Sequence, residues 1–277
     1  MENMTVKMVR EYLKKKRSII IPMGVTEQHG YHLPLCTDAL IAKETGRLVG
    51  EKTGIMVAPV IHTSFSGGGL PGTINISPSV MSLVVSDTMI SLVSQGFRNI
   101  YILLSHGGSE NARALDNAIK ILLRTNPAFE KVMVALMPVW KFGLQGIGWK
   151  DAFREGDWHA GWLETSLVMA IAPELVRTAE IKLDPERLLK LQMAHPDNYQ
   201  QAEKIVDDPV VVARMTQRPD IKVGVMGIPA RASAELGKRI MDNIVRDMAD
   251  RILYLEKKSD GRYKKIKFVP EPIILVD

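Results

Sequence analysis

The sequence predicts an α/β fold built on a mostly parallel sheet with helices on both faces. Three observations carry that expectation. Short β-branched runs alternate with helical stretches of about ten or more residues, the signature of βαβ units. Glycine or proline punctuates most of the boundaries. The chain of 277 residues is 46% hydrophobic, enough for a sizeable core.

The elements follow in order. Residues 18–24 (SIIIPMG) form an apolar, β-branched run that stops at glycine, the pattern of a buried strand. Residues 39–53 have helical spacing and stop before Gly54. Residues 55–60 read as a second strand closed by Pro59 and the loop beyond it. Residues 79–95 read as a helix with Ser79 as cap and Gly96 as stop. Residues 99–104 (NIYILL) are a third strand, 110–124 a helix and 132–137 a fourth strand. Residues 161–172 are a helix that ends before Pro173. Residues 222–226 are expected as a fifth strand and 232–257 as a long final helix. The stretch 183–219 fits either an insertion or a helical arm. The loops 64–72 and 140–158 are long and rich in glycine or aromatics, a kind that often carries function. One domain over 1–277 is the expectation.

Composition narrows the function classes. No run reaches the roughly 18 apolar residues of a membrane helix. Residues 1–17 are charged and lack the apolar core of a signal peptide, so a cytoplasmic protein without membrane contact is expected. The lone Cys36 has no intrachain disulfide partner, which fits a reducing compartment. The net charge of +5 gathers at the two ends, around Lys14–Arg17 and in the region of Lys257 to Lys267. Solvated helix ends explain it without nucleic acid, for which no binding motif is present.

Four of the six histidines fall in three short motifs. The first runs from Gly24 to Asp38, directly after the first strand. Glu27 and His29 share a face of an extended segment, and Asp38 opens the next helix, where its dipole favours a carboxylate. Two carboxylates and an imidazole suit a borderline divalent metal such as zinc, manganese or iron. The second motif, Ser105-His106-Gly107-Gly108, follows a strand and precedes a helix, the place where open α/β sheets bind ligands. Phosphate fingerprints are absent from it. In the third, Asp157 to Ser166, His159 stands before a helix and Glu164 lies in its first turns. His159 reads either as a general acid or base or as a capping or core histidine.

Together these motifs resemble the creatininase (creatinine amidohydrolase) family. Glu27-Gln28-His29-Gly30 with His32-Leu33-Pro34-Leu35 and Thr37-Asp38 is similar to its first signature. Leu70-Pro71-Gly72-Thr73-Ile74, Ser105-His106-Gly107-Gly108, His159-Ala160-Gly161 with Glu164-Thr165-Ser166, and Gly224 to Gly227 followed by Glu235-Leu236-Gly237 continue the likeness in order. The resemblance implies a three-layer αβα sandwich, two divalent metal ions per chain, a small-molecule substrate and a homo-oligomer, commonly a hexamer. By it, Glu27 and His106 bind one metal, His29 the other, Asp38 bridges them and His159 shuttles the proton. Creatininase has a further glutamate two positions beyond the loop histidine; here Gly108 stands there. Glu164 is the first replacement to consider and Glu110 the second. Trp158, Trp162 and His32 are candidates for substrate contact.

The chemistry so implied is attack by a metal-activated water on a carbonyl, with His159 protonating the leaving atom. Three activities compete: hydrolysis of a small cyclic amide or formamide, hydrolytic C–C ring opening of a cyclic ketone such as an oxidised inositol, and a non-enzymatic basic binding protein.

Overall fold

The computed structural model describes residues 1–269; the end of the expected 1–277 domain lies outside the described residues. Strand β1 (Ser18–Met23) is buried along its whole length. It pairs in parallel with β2 (Met56–Val57) on one side and β3 (Asn99–Leu104) on the other, and β3 pairs in parallel with β4 (Met133–Pro138). The sheet order is β2-β1-β3-β4.

Side chains alternate across the sheet, and both faces are covered. Ile20, Tyr101, Leu103 and Met137 pack under α2 (Thr37–Thr53), α6 (Trp162–Ile171) and α8 (Ala234–Lys258). Ile19, Ile21, Ile100, Ile102 and Leu104 pack under α3 (Pro78–Gln95) and α4 (Ser109–Thr125). That arrangement is the three-layer sandwich. The first helix, α1 (Val6–Leu13), lies outside the sequence reading. Its Thr5 cap accepts from Met8 N, and the Tyr12 hydroxyl donates to the Ser18 carbonyl. No helix of the described residues is long and apolar enough to cross a membrane.

Several expected elements are corrected. The strand at 55–60 shrinks to two residues: after Ala58 N donates to the Ile20 carbonyl, the next bond to β1 comes from Ile61 N to the Pro22 carbonyl, so an extra residue bulges from the ladder around Pro59. The α3 cap is Ser77, whose hydroxyl accepts from Val80 N, with Pro78 at the first helical position. The fifth strand at 222–226 is absent. The main-chain N–H groups of Lys222, Val223 and Gly224 all donate to the Asp184 carboxylate, at 2.8–3.1 Å, and so have none to offer a neighbouring strand. Only Met226 bridges, to His159. The stretch 183–219 folds as α7 (Glu186–Ala194) followed by an antiparallel hairpin, β5 (Gln200–Glu203) with β6 (Arg214–Gln217). The loop 140–158 contains a further helix, α5 (Trp149–Arg154).

Candidate metal centre

Parallel pairing places Met23 opposite Leu104, so the segments leaving β1 and β3 emerge together at the carboxyl edge of the sheet. One carries Glu27 and His29, the other Ser105 and His106. Asp38 arrives from the first turn of α2. Gly24 permits that approach: a Cβ there would lie 2.5 Å from the Ala39 nitrogen. Ser105 locks the junction, its hydroxyl donating to the Asp38 carbonyl at 2.6 Å.

Three imidazoles share one arrangement. His29 Nδ1 lies 3.1 Å from the Glu27 carbonyl, His106 Nε2 lies 3.1 Å from the Phe65 carbonyl, and His159 Nε2 lies 2.7 Å from the Gln28 carbonyl. A carbonyl only accepts, so each of these nitrogens carries the proton. The opposite nitrogens of His29 and His159 are left with their lone pairs toward the carboxylates, whereas both ring nitrogens of His106 face acceptors and donate. His29 Nε2 stands 3.6 Å from Glu164 Oε2 and 3.8 Å from Asp38 Oδ1. His106 Nδ1 stands 3.1 Å from Asp38 Oδ2 and 3.3 Å from Glu27 Oε2. His159 Nδ1 is 4.0 Å from Glu27 Oε2.

The carboxylates are held as firmly. Ser66 donates to Glu27 Oε1 at 2.5 Å, and the Ala160 N–H donates to Glu164 Oε2 at 2.6 Å. Ala160 itself is held at φ 54, a conformation uncommon for a residue with a Cβ. Glu27 Oε2 and His29 Nε2 are buried without a hydrogen-bond partner. Donor atoms gather into overlapping sets, each within 4.8 Å: Glu27, Asp38 and His106; His29, Asp38 and Glu164; Glu27, His29 and His159. Asp38 is common to the first two. Orphaned buried donors, a shared carboxylate and a nitrogen–oxygen donor set fit divalent cations, and main-chain anchoring of the outward imidazole nitrogen is the usual support of a metal-binding histidine.

Electrostatics agree with that reading. Burial pushes the Glu27 carboxyl up, but His159, His106 and His29 outweigh it and hold the group well below its ordinary range. Burial and His159 lower His29 to about 4. His106 is lowered by burial, yet Glu27 and Asp38 raise it well above its usual value. Burial and the nearby Asp38 charge raise Glu164. The proton on His106 balances the ionised Glu27 where a bound cation would otherwise do so.

The expected ligands therefore come together, with Glu164 beside His29 and Asp38. At Gly108 a Cβ would sit 2.7 Å from His106 Nε2, which closes that turn to a side chain. Glu110 is exposed, accepts from the Ser109 hydroxyl and belongs to none of the three sets. Two expectations for substrate contact are corrected. Trp162 is buried in the core, with its indole donating to Glu155 and Arg231 stacked 4.0 Å from its ring. His32 is fully buried against the Thr165 hydroxyl at 3.0 Å, and burial lowers it to about 4. Trp158 does line the cavity over the site, about 430 Å³ in volume, together with Trp140, Trp149 and Phe153. Ser66 and Gln28, which touch Glu27 and His159, were not marked as site residues by the sequence. Ser66 lies in the glycine-rich loop and Gln28 between two ligands, but neither residue type announces its role.

Asp157 sits beneath the His159 turn. It is buried and accepts from Leu163 N at 3.0 Å, and burial raises it from 3.8 to about 7. A carboxyl raised in the fold supports stability below pH 4 and loses that contribution as pH climbs through 7. Asp157→Asn is therefore expected to flatten the stability profile between pH 4 and 7. Above pH 7 it should exceed the parent by a few kcal/mol, at most about 4. Urea denaturation of both proteins at pH 5 and pH 8 measures this; parallel profiles would reject it.

The comparisons with known proteins identify the family and the fold. The family model described as "Creatininase: Creatinine amidohydrolase" matches residues 2–252. A mycofactocin precursor peptide peptidase of Mycolicibacterium smegmatis is 29% identical, over 88% of this chain and 87% of its own. The creatinine amidohydrolase of Pseudomonas putida is 26% identical, over 84% and 88%. A 3-dehydro-scyllo-inosose hydrolase of Thermotoga maritima is 27% identical, over 90% and 83%. A crystal structure of creatininase superposes with a TM-score of 0.72 at 22% identity, covering 94% of this chain and 97% of the other. These relatives are enzymes, which sets aside the non-enzymatic binding protein. With its family model matched along most of the chain, and its fold that of solved creatininases, this protein belongs to the creatininase family of hydrolases.

Proposed function

We propose that this protein is a divalent-metal-dependent hydrolase that opens a small cyclic amide or cleaves a formamide C–N bond. One ion would be held by Glu27, Asp38 and His106, the other by His29, Asp38 and Glu164. Zinc, manganese and iron all suit such donors. The observation that carries the reading is the set of inward ring nitrogens of His29, His106 and His159, each ring fixed by a main-chain carbonyl on its far side. Ions held there would supply an acidified water and a polarised carbonyl.

The chain's own groups do the rest. Ser66 and the Ala160 N–H keep two carboxylates from rotating away. His159, with Nε2–H fixed on Gln28, takes a proton at Nδ1 and returns it to the leaving nitrogen. Trp158 flanks the substrate. The names of the amidohydrolase and peptidase relatives share C–N hydrolysis, which favours that bond. The inosose hydrolase relative supports a second reading, hydrolytic C–C opening of a cyclic ketone, in which His159 protonates the leaving carbon. We also infer a homo-oligomer: Ile205, Val210 and Val212 are at least 81% exposed on the β5–β6 hairpin.

Elemental analysis should find about two transition-metal ions per chain, and metal-loaded protein should turn over a lactam, formamide or peptide amide faster than a cyclic ketone. Failure to retain any ion after reconstitution would overturn the proposal. His159→Gln is expected to keep the metal and lower kcat by about 10²–10⁴-fold. If metal content falls with it, His159 is a ligand and not the proton carrier.

A further inference from the structure

The cavity wall away from the metal donors has its own chemistry. Helix α7 contributes Gln192, which is fully buried, yet neither its Oε1 nor its Nε2 has a hydrogen-bond partner. The buried Trp149 indole N–H on the same cavity is also unpartnered. A buried carboxamide left unsatisfied is costly, and native proteins tolerate few. Gln192 stands next to Met193, whose carbonyl accepts the Trp158 indole at 2.9 Å. Trp158 stacks on Phe153 at 5.0 Å, and Phe153 lies 5.6 Å from Trp149. The amide therefore adjoins an aromatic wall.

Histidine aside, the ionic side chains of this wall are acidic. Among the described residues lining the cavity there is no Lys or Arg. Its carboxylates beyond the metal donors are Glu110 and Asp197, both exposed at the rim. Their charges act on the Tyr199 hydroxyl, which is pushed up first by burial and then by Glu110, Glu27 and Asp197. His195 Nδ1 accepts the Asp197 N–H at 3.1 Å, an arrangement that uses the unprotonated nitrogen. A carboxylate on the substrate would find the Trp149 and Gln192 N–H donors but no Lys or Arg countercharge, whereas a nitrogen group meets carboxylates, aromatic faces and the Gln192 Oε1 acceptor, and a carboxamide would satisfy the Gln192 donor as well.

We propose that the cavity recognises the non-reacting end of its substrate as a neutral or cationic nitrogen group, an N–H donor bonded by Gln192, and discriminates against a carboxylate there. This rests on the hydrolase reading, because the reacting end must sit on the metal donors. The probes are benzohydroxamic acid, a metal chelator, and its 3-carbamoyl, 3-aminomethyl and 3-carboxy derivatives, titrated calorimetrically into metal-loaded protein. The carbamoyl and aminomethyl compounds are expected to bind at least about 10-fold more tightly than the carboxy compound. Gln192→Met should erase most of the carbamoyl advantage over benzohydroxamic acid. Asp197→Asn with Glu110→Gln should erase most of the aminomethyl advantage. The three-substituent comparison on the unaltered protein stands whether or not Gln192→Met folds. Carboxy binding as tight as carbamoyl, with benzohydroxamic acid bound, overturns this proposal alone. So does equal binding of the carbamoyl and unsubstituted compounds, which would mean that Gln192 holds only a water. No binding by any of the four overturns the hydrolase reading and this proposal with it.

Discussion

Asp38→Ala is expected to remove both metal ions together and to lower turnover by at least about 10³-fold, about 4 kcal/mol of transition-state stabilisation. The reason is its position in two donor sets at once: Oδ2 faces His106 at 3.1 Å and Oδ1 faces His29 at 3.8 Å. Glu27 and Glu164 each serve one of those two sets, so Glu27→Ala and Glu164→Ala should each leave one ion bound. The fold should survive Asp38→Ala. The hydrogen bond from Ser105 ends on the Asp38 main-chain carbonyl, which alanine keeps, and the lost helix-dipole contact is worth about 0.3–1 kcal/mol. Metals counted per chain by mass spectrometry, beside a thermal melt, separate loss of ligand from loss of fold. A full complement of ions in folded Asp38→Ala would remove the bridging role and, with it, the two-ion centre.

Much of the fold was legible because buried parallel strands leave a local trace. β1, β3 and β4 read as apolar runs since both of their faces meet helices. What failed was decided by contacts distant in sequence. Val223 and Val225 alternate like a strand, but Asp184 takes the neighbouring main-chain donors, and nothing near 222–226 signals it. At the site, the candidate ligand types and spacings were readable from Glu27 to Asp38 and at His106. That Glu164 and not Glu110 stands among the donors needed three dimensions, as did the burial of Trp162 in the core. Residues two apart on a helix differ by about 200° in direction, so a Glu164 that faces the metal donors turns Trp162 toward the core. Gln192 had no local signal; only its missing partners mark it.

The second large effect concerns how the sheet's outer helices set the site. Gly237→Ala is expected to destabilise the protein by about 3 kcal/mol, despite the up to ~1 kcal/mol that alanine gains over glycine within a helix. A Cβ at Gly237 would lie 1.8 Å from the Ser166 carbonyl oxygen and 2.9 Å from the Leu167 nitrogen. Those are main-chain atoms of α6, fixed by the helix itself, so a rotamer change cannot relieve the overlap; α8 must move away from α6. Ser166 ties the pair further, donating to the Trp162 carbonyl at 2.6 Å and accepting from Ser233 N at 3.2 Å. For a chain of this size the loss corresponds to a fall in Tm of roughly 6–12 °C. The same displacement should reach the chemistry, because α6 carries Glu164 one turn from the contact. The ion held by His29, Asp38 and Glu164 should weaken while the one held by Glu27, Asp38 and His106 stays. Tm and metal content together test the coupling. An unchanged Tm would show that α6 and α8 can separate freely, and a lowered Tm with both ions fully bound would show that the site does not depend on how closely these two helices pack.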